Sequence, residues 1–302
     1  MDKSPHKSDF VHVNGLKIHY LDWGGEGETL LFLTGLGNSA HIFDDFAPRF
    51  IDRFRVLALT RRGHGDSEYP ETGYDVHTLT EEIRCFMDEL SVEKAILVGH
   101  SMAYVEQCHM CAVYPERVSG LVCLDAAYDR TKFKVFAEKN PLKDVKVPEQ
   151  ACYSLAEYIA YVKRLRPDLA EIWSGLWDEE TLHNIRTDPS GKIIEKMSDE
   201  LHGTIISSLR DYVPEESTIR VPVLSFYAIW DDLLPDYLTD EQQALAAEFH
   251  KTVRLPVQRE CIAQFRQNVP HAKVVEILQG NHYCFIKHAE LVYEEMRNFL
   301  LE

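Results

Sequence analysis

The sequence lacks a long apolar run. Its 302 residues contain no stretch of about 18 apolar residues of the kind that crosses a membrane. The first residues, Met1 to Lys7, also lack the apolar centre of a signal peptide and are expected to form a frayed tail. These absences predict a cytoplasmic protein without a membrane span, although a signal peptide that had been removed would leave the same sequence.

Basic residues are scarce relative to acidic ones. The chain has 32 Lys and Arg against 49 Asp and Glu, which gives a formal net charge of −17. Nucleic acids and anionic membranes bind clustered positive charge, so this balance argues against either of them as a partner. We interpret the acidity as a source of solubility and expect a small-molecule partner. The sequence leaves the oligomeric state open.

A disulfide framework is missing as well. Seven cysteines are scattered along the chain, and their odd number leaves at least one of them unpaired within a monomer. Cys108 and Cys111 have the C-x-x-C spacing of redox and metal motifs, but they fall in a predicted helix and no second ligand pair lies at metal spacing. We therefore predict buried, reduced side chains and neither a metal nor another cofactor.

The sequence does have a regular alternation of short apolar strands and amphipathic helices. Strands are predicted at 11–13, 16–23, 29–33, 54–59, 95–98, 119–124, 222–229 and 272–278, and helices at 40–50, 80–90, 102–114, 239–269 with a break at Pro256, and 288–301. Such alternation implies right-handed crossovers and a mostly parallel sheet that helices cover on both faces. The predicted fold class is therefore α/β.

The alternation stops between about residues 128 and 220. This segment is helical in pattern, charged and rich in aromatic residues, and it contains no evident buried strand. We interpret it as a helical cap, 128–220, inserted into a core formed by 1–127 and 221–302. An ordinary surface insertion that does not contact substrate is the alternative interpretation.

One short stretch carries the strongest chemical signal. The predicted strand at 95–98 leads into Gly99-His100-Ser101-Met102-Ala103, a G-x-S-x-A pattern, and a helix follows. A strand that turns sharply into a helix with serine at the apex is a nucleophile elbow. Gly99 permits close backbone approach, and the helix N-terminus supplies amide donors. Ser101 is therefore the candidate nucleophile, and a structural serine at a helix start is the alternative.

Two later residues supply the other groups that such chemistry needs. Asp231 and His282 follow Ser101 in the order nucleophile, acid, base, each at the carboxyl end of a predicted strand. A serine hydroxyl is a weak nucleophile until a base accepts its proton, which is the task expected of His282. A carboxylate on the other ring nitrogen fixes the tautomer and stabilises the imidazolium that forms.

In these features the chain resembles the α/β-hydrolase fold family over nearly its whole length. The resemblance is carried by the hairpin, Thr34-Gly35-Leu36-Gly37, Arg62-Gly63-His64-Gly65-Asp66-Ser67, the elbow, Pro222-Val223-Leu224 and Gly280-Asn281-His282. It favours Asp231 as the acid, because Pro235 follows at the family's D-x-x-x-P spacing. Asp125 lies where some members of the family carry the acid, and it remains an alternative together with Asp232.

The resemblance also implies an oxyanion hole made by the backbone N–H groups of Leu36 and Met102. The candidate pocket residues around the site are Gly35, Gly37, Tyr104, Trp230 and Tyr283. The two glycines have an alternative interpretation as turn residues. Tyr104 has an alternative interpretation as a large side chain accommodated away from the pocket.

The predicted function is that of a serine hydrolase, carboxylesterase-like, which cleaves a small or medium ester through an acyl-enzyme. Serine at position 101 argues against the activities of haloalkane dehalogenases and epoxide hydrolases, because those relatives use an aspartate nucleophile. Two alternatives stay open. One is C–C bond hydrolysis or lyase chemistry on the same triad, which the aromatic cap would suit. The other is a ligand receptor without catalysis on a hydrolase scaffold.

Overall fold

A single large sheet organises the fold. The computed structural model describes residues 6–230 and 233–301, with Trp230 described in its backbone alone. The strands in this part of the chain are β1 (Lys7–Val13), β2 (Leu16–Gly24), β3 (Thr29–Leu33), β4 (Arg55–Leu59), β5 (Ala95–His100), β6 (Val118–Leu124), β7 (Ile185–Thr187), β8 (Ile193–Glu195), β9 (Val223–Trp230) and β10 (Lys273–Gly280). Eight of them form one sheet in the order β1-β2-β4-β3-β5-β6-β9-β10. The antiparallel pairs in that sheet are β1–β2 and β2–β4, and all its other pairs are parallel, so the prediction of a mostly parallel α/β sheet is confirmed.

Helices connect most of the parallel strands. Those in the described residues are α1 (Val76–Glu89), α2 (Ala103–Val113), α3 (Lys134–Lys139), α4 (Leu155–Leu165), α5 (Pro167–Ala170), α6 (Gly175–Asn184), α7 (Asp199–Asp211), α8 (Asp240–Phe249), α9 (Leu255–Asn268), α10 (Cys284–Lys287) and α11 (Ala289–Leu301). Two parallel strands cannot be joined by a tight turn. The chain between them has to cross the sheet in a longer connection, which is usually a helix.

The sheet is buried on both faces, as continuous apolar strands require. Alternate residues of β3 point to opposite sides: Leu31 and Leu33 belong to one core cluster, and Leu30 and Phe32 belong to the other. Helices α1, α2 and α9 cover the first face. Helices α10 and α11 and the segment 40–50 cover the second face.

Two predicted helices differ in detail. The segment 40–50 forms two 3₁₀ turns, Ala40–Phe43 and Ala47–Phe50, because Pro48 has no N–H to continue an α-helix through it. The break expected at Pro256 is absent, since this proline lies in the first turn of α9, where its missing N–H costs no hydrogen bond. The irregularity lies just before it, as a π-helix at His250–Arg254.

The segment between β6 and β9 adds no strand to the large sheet within the described residues. It contains α3 to α7 and the separate β7–β8 hairpin, which the sequence did not predict. The hairpin residues are exposed or half-buried, so they lack the apolar pattern of a core strand. The division into a core and a cap at 128 and 220 remains a prediction.

All seven cysteines lie in the described residues and are free. Cys108 and Cys111 are buried on α2 against the sheet, which confirms the prediction of buried, reduced side chains for this pair. No helix within 6–230 or 233–301 is long and apolar enough to cross a membrane.

Candidate active site

Ser101 lies at a sharp turn between β5 and α2. Its φ angle is 54°, a left-handed backbone that is uncommon for serine and costs conformational energy. The turn is tied to the next strand, because the amide of Ser101 donates to the carbonyl of Leu124 at 3.3 Å. Met102 then begins α2. This is the strand–turn–helix geometry that the elbow motif predicts.

Gly99 makes this turn possible for a packing reason. A Cβ atom at Gly99 would lie 2.6 Å from the side-chain carbon of Gln107, one and a half turns into α2. Gln107 cannot move away freely, because its amide donates to the carbonyls of Leu97 and Val122 at 2.8 and 3.0 Å. The helix therefore packs against a strand end that only glycine fits.

Asp125 contacts His282. Oδ2 of Asp125 lies 2.7 Å from Nδ1 of His282, and the carboxylate is fully buried. Its other oxygen accepts hydrogen bonds from the hydroxyl of Tyr128 at 2.7 Å and from the amide of Ala228 at 2.9 Å. Asp125 also has a left-handed backbone, φ 47°, directly after β6. Ser101 after β5 and Asp125 after β6 thus have the same strained, left-handed backbone conformation. Both lie at the same edge of the sheet.

Two of the three candidate acids follow β9. Asp231, the acid that the sequence favours, and Asp232, one of its alternatives, lie outside the described residues. Among the carboxylates of the described part, it is Asp125 that hydrogen-bonds to His282. Of the three acids considered from the sequence, the structure therefore brings the alternative Asp125 to the imidazole.

The loop that carries His282 is held by His100. Nε2 of His100 donates to the backbone carbonyl of His282 at 3.0 Å, and the two rings lie 4.5 Å apart between centroids. Burial lowers the pKa of His100 well below its ordinary value, so this ring is neutral. His100 occupies the variable position before Ser101 in the elbow motif, and the sequence gave no signal of this role.

The loop after β3 runs directly against the elbow. A Cβ atom at Gly35 would lie 2.7 Å from Nδ1 of His100, so glycine is required there by contact. Leu36 follows Gly35 in this loop, and Met102 follows Ser101 at the start of α2. The contact between Gly35 and His100 thus holds together the two segments whose amides are predicted to form the oxyanion hole.

The same loop is anchored from the other side by Glu180 on α6. Its carboxylate accepts from the amide of Ser39 at 2.8 Å and from the side-chain amide of Asn38 at 3.2 Å. The hydroxyl of Ser39 also donates to Glu180. Sequence analysis did not single out Glu180, because nothing local to α6 indicates a partner 141 positions away.

Ser101, Asp125 and His282 line one cavity of about 190 Å³. The rest of its wall consists of aromatic and basic side chains and one amide: Tyr128, Phe133, Phe136, Arg130, His250, Arg254 and Gln258. Arg130 reaches the nucleophile itself, since its Nη2 donates to Oγ of Ser101 at 3.2 Å. The sequence analysis missed Arg130, although it follows Asp125 by five residues in the same loop.

The remaining predicted pocket residues lie in different parts of the structure. Gly37 and Tyr283 line a second cavity of about 420 Å³ between the loop after β3 and helices α4 and α6. Tyr104 does not line either cavity, and the prediction of a pocket wall is wrong for it. Its ring is buried in the core against Phe265, where its hydroxyl donates to Glu216 at 2.7 Å. The side chain of Trp230 lies outside what the structure describes.

One group in the described residues has the donor set for a metal ion. His6, His41 and Asp44 each place a ligand atom within 4.8 Å of the others. None of the three lines the cavity around Ser101.

Comparison with known proteins agrees with the fold. A family model for the alpha/beta hydrolase fold matches residues 28–153. A 2-(acetamidomethylene)succinate hydrolase from Mesorhizobium japonicum is 33% identical over 132 residues, which are 41% of this chain and 48% of that protein. A soluble epoxide hydrolase from a Corynebacterium species is 34% identical over 88 residues, 29% of this chain and 30% of that protein. The chain thus spans less than half the length of these curated relatives.

Solved structures extend the likeness to the whole chain at the level of the fold. The crystal structure of an E-2-(acetamidomethylene)succinate hydrolase superposes with a TM-score of 0.75 at 22% identity, covering 98% of this chain and 100% of that one. An enol-lactonase from Burkholderia xenovorans superposes with a TM-score of 0.64 at 20% identity, covering 97% and 100%. Together with the elbow and the sheet order, these matches show that the chain has the α/β-hydrolase fold.

Proposed function

We propose that this chain is a serine hydrolase that cleaves a small or medium carboxylic ester, with Ser101 as nucleophile, His282 as base and Asp125 as the acid. The observation that carries the proposal is the 2.7 Å contact between His282 and Asp125 at the wall of the cavity that Ser101 lines. The relative from Mesorhizobium japonicum is named a hydrolase, which supports hydrolysis as the reaction class.

The contact between His282 and Asp125 sets the direction of proton transfer. A carboxylate accepts, so Nδ1 of His282 carries the proton that points to Asp125, and the basic nitrogen is Nε2. Nε2 takes the proton of the Ser101 hydroxyl while Oγ bonds to the ester carbonyl carbon. Asp125 then faces an imidazolium and stabilises it, and the bonds from Tyr128 and Ala228 keep the carboxylate in place.

The rest of the cycle follows from the same groups. The oxyanion forms next to the amides of Leu36 and Met102, each of which is expected to contribute about 3 kcal/mol to the transition state. The imidazolium gives its proton to the leaving alkoxide as the C–O bond breaks. Water, deprotonated by His282, then attacks the acyl-enzyme, which releases the carboxylic acid and restores the Ser101 hydroxyl.

The cavity volume bears on substrate size. About 190 Å³ around Ser101 holds an acyl group of a few carbons, and the aromatic wall formed by Tyr128, Phe133 and Phe136 favours apolar atoms. We propose that the segment 128–220 acts as a cap over this site, because Arg130 and Phe133 belong to it and line the cavity. The larger cavity of about 420 Å³ between the β3 loop and the cap is the natural place for a leaving group.

Labelling tests this proposal most directly. A fluorophosphonate probe should modify Ser101, identified by mass spectrometry of the peptide, and turnover of p-nitrophenyl butyrate should vanish in Ser101→Ala. Ser190→Ala, on an exposed turn, is the matched control and should behave as wild type. Labelling elsewhere, or equal ester turnover in Ser101→Ala, would remove the proposal.

A panel of esters and 1,3-diketones then separates the reaction classes. Faster cleavage of the diketones would replace ester hydrolysis by C–C bond hydrolysis on the same three residues. Ligand binding without turnover, unchanged in Ser101→Ala, would indicate a receptor instead.

A further inference from the structure

The cavity beside Ser101 contains a buried cation that forms no ion pair. The guanidinium of Arg130 has no carboxylate of the described residues within ion-pair distance, and its Nε is buried without a hydrogen-bond partner. Its Nη2 donates to Ser101 Oγ, and its guanidinium carbon lies 5.7 Å from the centre of the Phe133 ring. An unpaired inward-facing guanidinium is costly for a folded protein.

Other inward-facing arginines in this chain are paired. Arg61 binds Glu106, and Arg62 binds Glu82. The chain has a net charge of −17, yet no carboxylate of the described part forms an ion pair with Arg130. The charge of Asp125 acts on Arg130, but that carboxylate is hydrogen-bonded to His282. Burial lowers the pKa of Arg130. This pattern is typical of a cation reserved for a ligand.

The site also has a second cation nearer the surface. Arg254 is exposed, forms no ion pair within the described residues and lines the same cavity as Arg130. It ends the π-helix His250–Arg254, and short π-helical turns are frequent at functional sites. Arg254 also lines the two neighbouring cavities, so an anion that approaches from any of them meets it first.

We propose that the site selects esters whose acyl group carries a carboxylate, with Arg130 binding that carboxylate and Arg254 attracting it. This inference rests on the proposed function, since it names the substrate class of the same Ser101 site. The carboxylate has to lie close to the ester carbonyl, because Arg130 is 3.2 Å from the attacking oxygen and both groups share about 190 Å³. The substrate class is therefore the monoester of a short dicarboxylic acid.

Substrate binding then couples to activation of the nucleophile. A carboxylate accepts a stronger, charge-assisted bond from a guanidinium than a neutral hydroxyl does. The incoming carboxylate therefore takes Arg130 away from Ser101 Oγ. The hydroxyl is freed to donate its proton to His282. A neutral ester leaves Arg130 on the hydroxyl and reacts more slowly.

Two matched substrates test the inference. The p-nitrophenyl monoester of glutaric acid and p-nitrophenyl pentanoate differ by a carboxylate in place of a methyl group at the chain end. We expect kcat/KM for the charged ester to exceed that for the neutral ester by about tenfold or more in the wild type. Arg130→Gln should reduce that ratio by at least about tenfold, and Arg130→Lys, which keeps the charge, should restore part of it.

Arg254→Gln should lower kcat/KM for the charged ester, and should weaken its dependence on salt concentration, with little change in kcat. Arg53→Gln removes the same charge from an exposed site away from the cavity and should leave the ratio and the salt dependence unchanged. Equal losses for both esters in Arg130→Gln would overturn the inference, because Arg130 would then act on Ser101 or on the oxyanion.

A binding measurement separates this inference from the proposed function. Calorimetry with free glutarate and Ser101→Ala protein measures the anion site without turnover, and Arg130→Gln in that background should abolish binding. Glutarate binding without ester turnover in the wild type would overturn ester hydrolysis alone. Turnover that depends on Ser101 but shows no preference for the charged ester and no glutarate binding would overturn the anion site alone.

Discussion

His282 and Asp125 meet through Nδ1 and Oδ2 at 2.7 Å although 157 positions of chain separate them. Asp125 directly follows β6, the strand that pairs with the nucleophile strand β5. The amide of Asp125 in turn donates to the carbonyl of Phe226 on β9 at 3.0 Å. Hydrogen bonds between three adjacent strands therefore fix the carboxylate relative to Ser101.

Asp125→Asn is expected to lower kcat by up to about 10⁴-fold, because an amide at this position favours the wrong imidazole tautomer and cannot stabilise the imidazolium. The loss should appear in kcat more than in KM, since Asp125 does not bind substrate. Steady-state kinetics with p-nitrophenyl butyrate measure it, and circular dichroism checks that the variant folds.

The activity of Asp231→Asn should be compared with that of Asp125→Asn, because the sequence favours Asp231 as the acid. If Asp125 is the acid, Asp231→Asn retains far more activity than Asp125→Asn. The opposite ranking would return the role to Asp231 and leave Asp125 as a structural support of the His282 loop.

The sheet could be predicted from the sequence because its signal is local. Strands such as β3 and β5 are short, mainly apolar runs bounded by turn residues, and the helices between them have a clear apolar face. The hairpin β7–β8 escaped prediction, since its strands have three residues each and little burial. The segment 40–50 has an apolar face without being an α-helix, and Pro48 is the residue that decides this.

Only the site residues that belong to sequence motifs could be predicted. Ser101 and His282 stand in recognisable patterns, whereas the partner of an imidazole depends on which strand end lies beside it. Arg130 and Glu180 act through contacts across the fold, which no spacing rule detects. Tyr104 follows the elbow by three residues, but its direction is set by α2, which turns the ring into the core.

Tyr104→Phe tests that placement. Its hydroxyl is one of two donors to the buried carboxylate of Glu216, with Asn268 as the other at 2.8 Å. Removing it leaves a buried oxygen without its hydrogen bond, which should cost about 1–3 kcal/mol of stability. Activity should be unchanged, because the ring does not reach the cavity. Urea denaturation and ester kinetics measure the two effects, and Tyr153→Phe, at an exposed tyrosine, should alter neither.

Arg61 and Glu106 form a buried ion pair that joins the loop after β4 to α2. Arg61→Met should destabilise the protein by about 3–5 kcal/mol, because it leaves the carboxylate of Glu106 buried without a counter-charge. Adding Glu106→Leu should recover part of that loss. A double-mutant cycle from urea denaturation measures the coupling. Additive losses would show that the two charges contribute independently.

Glu180 gives the protein a pH-dependent stability with an unusual sign. It lies buried between α6 and the loop after β3, and burial raises its pKa to about 7 from the ordinary 4.5. Between these two values the unfolded chain loses its proton while the folded protein keeps it. The unfolded state then binds fewer protons, so the free energy of unfolding falls as pH rises through this range.

Glu180→Gln should remove this dependence, because the amide stays neutral in both states. The fall in wild-type stability attributable to Glu180 between pH 4.5 and 7 is expected to be about 3 kcal/mol. The glutamine oxygen can still accept from the amide of Ser39, and its NH₂ group can donate to the Ser39 hydroxyl, so the contact to the loop is kept. Urea denaturation of both proteins at several pH values gives the comparison. We expect the stability of the variant relative to the wild type to increase with pH, and parallel curves would show that Glu180 titrates normally.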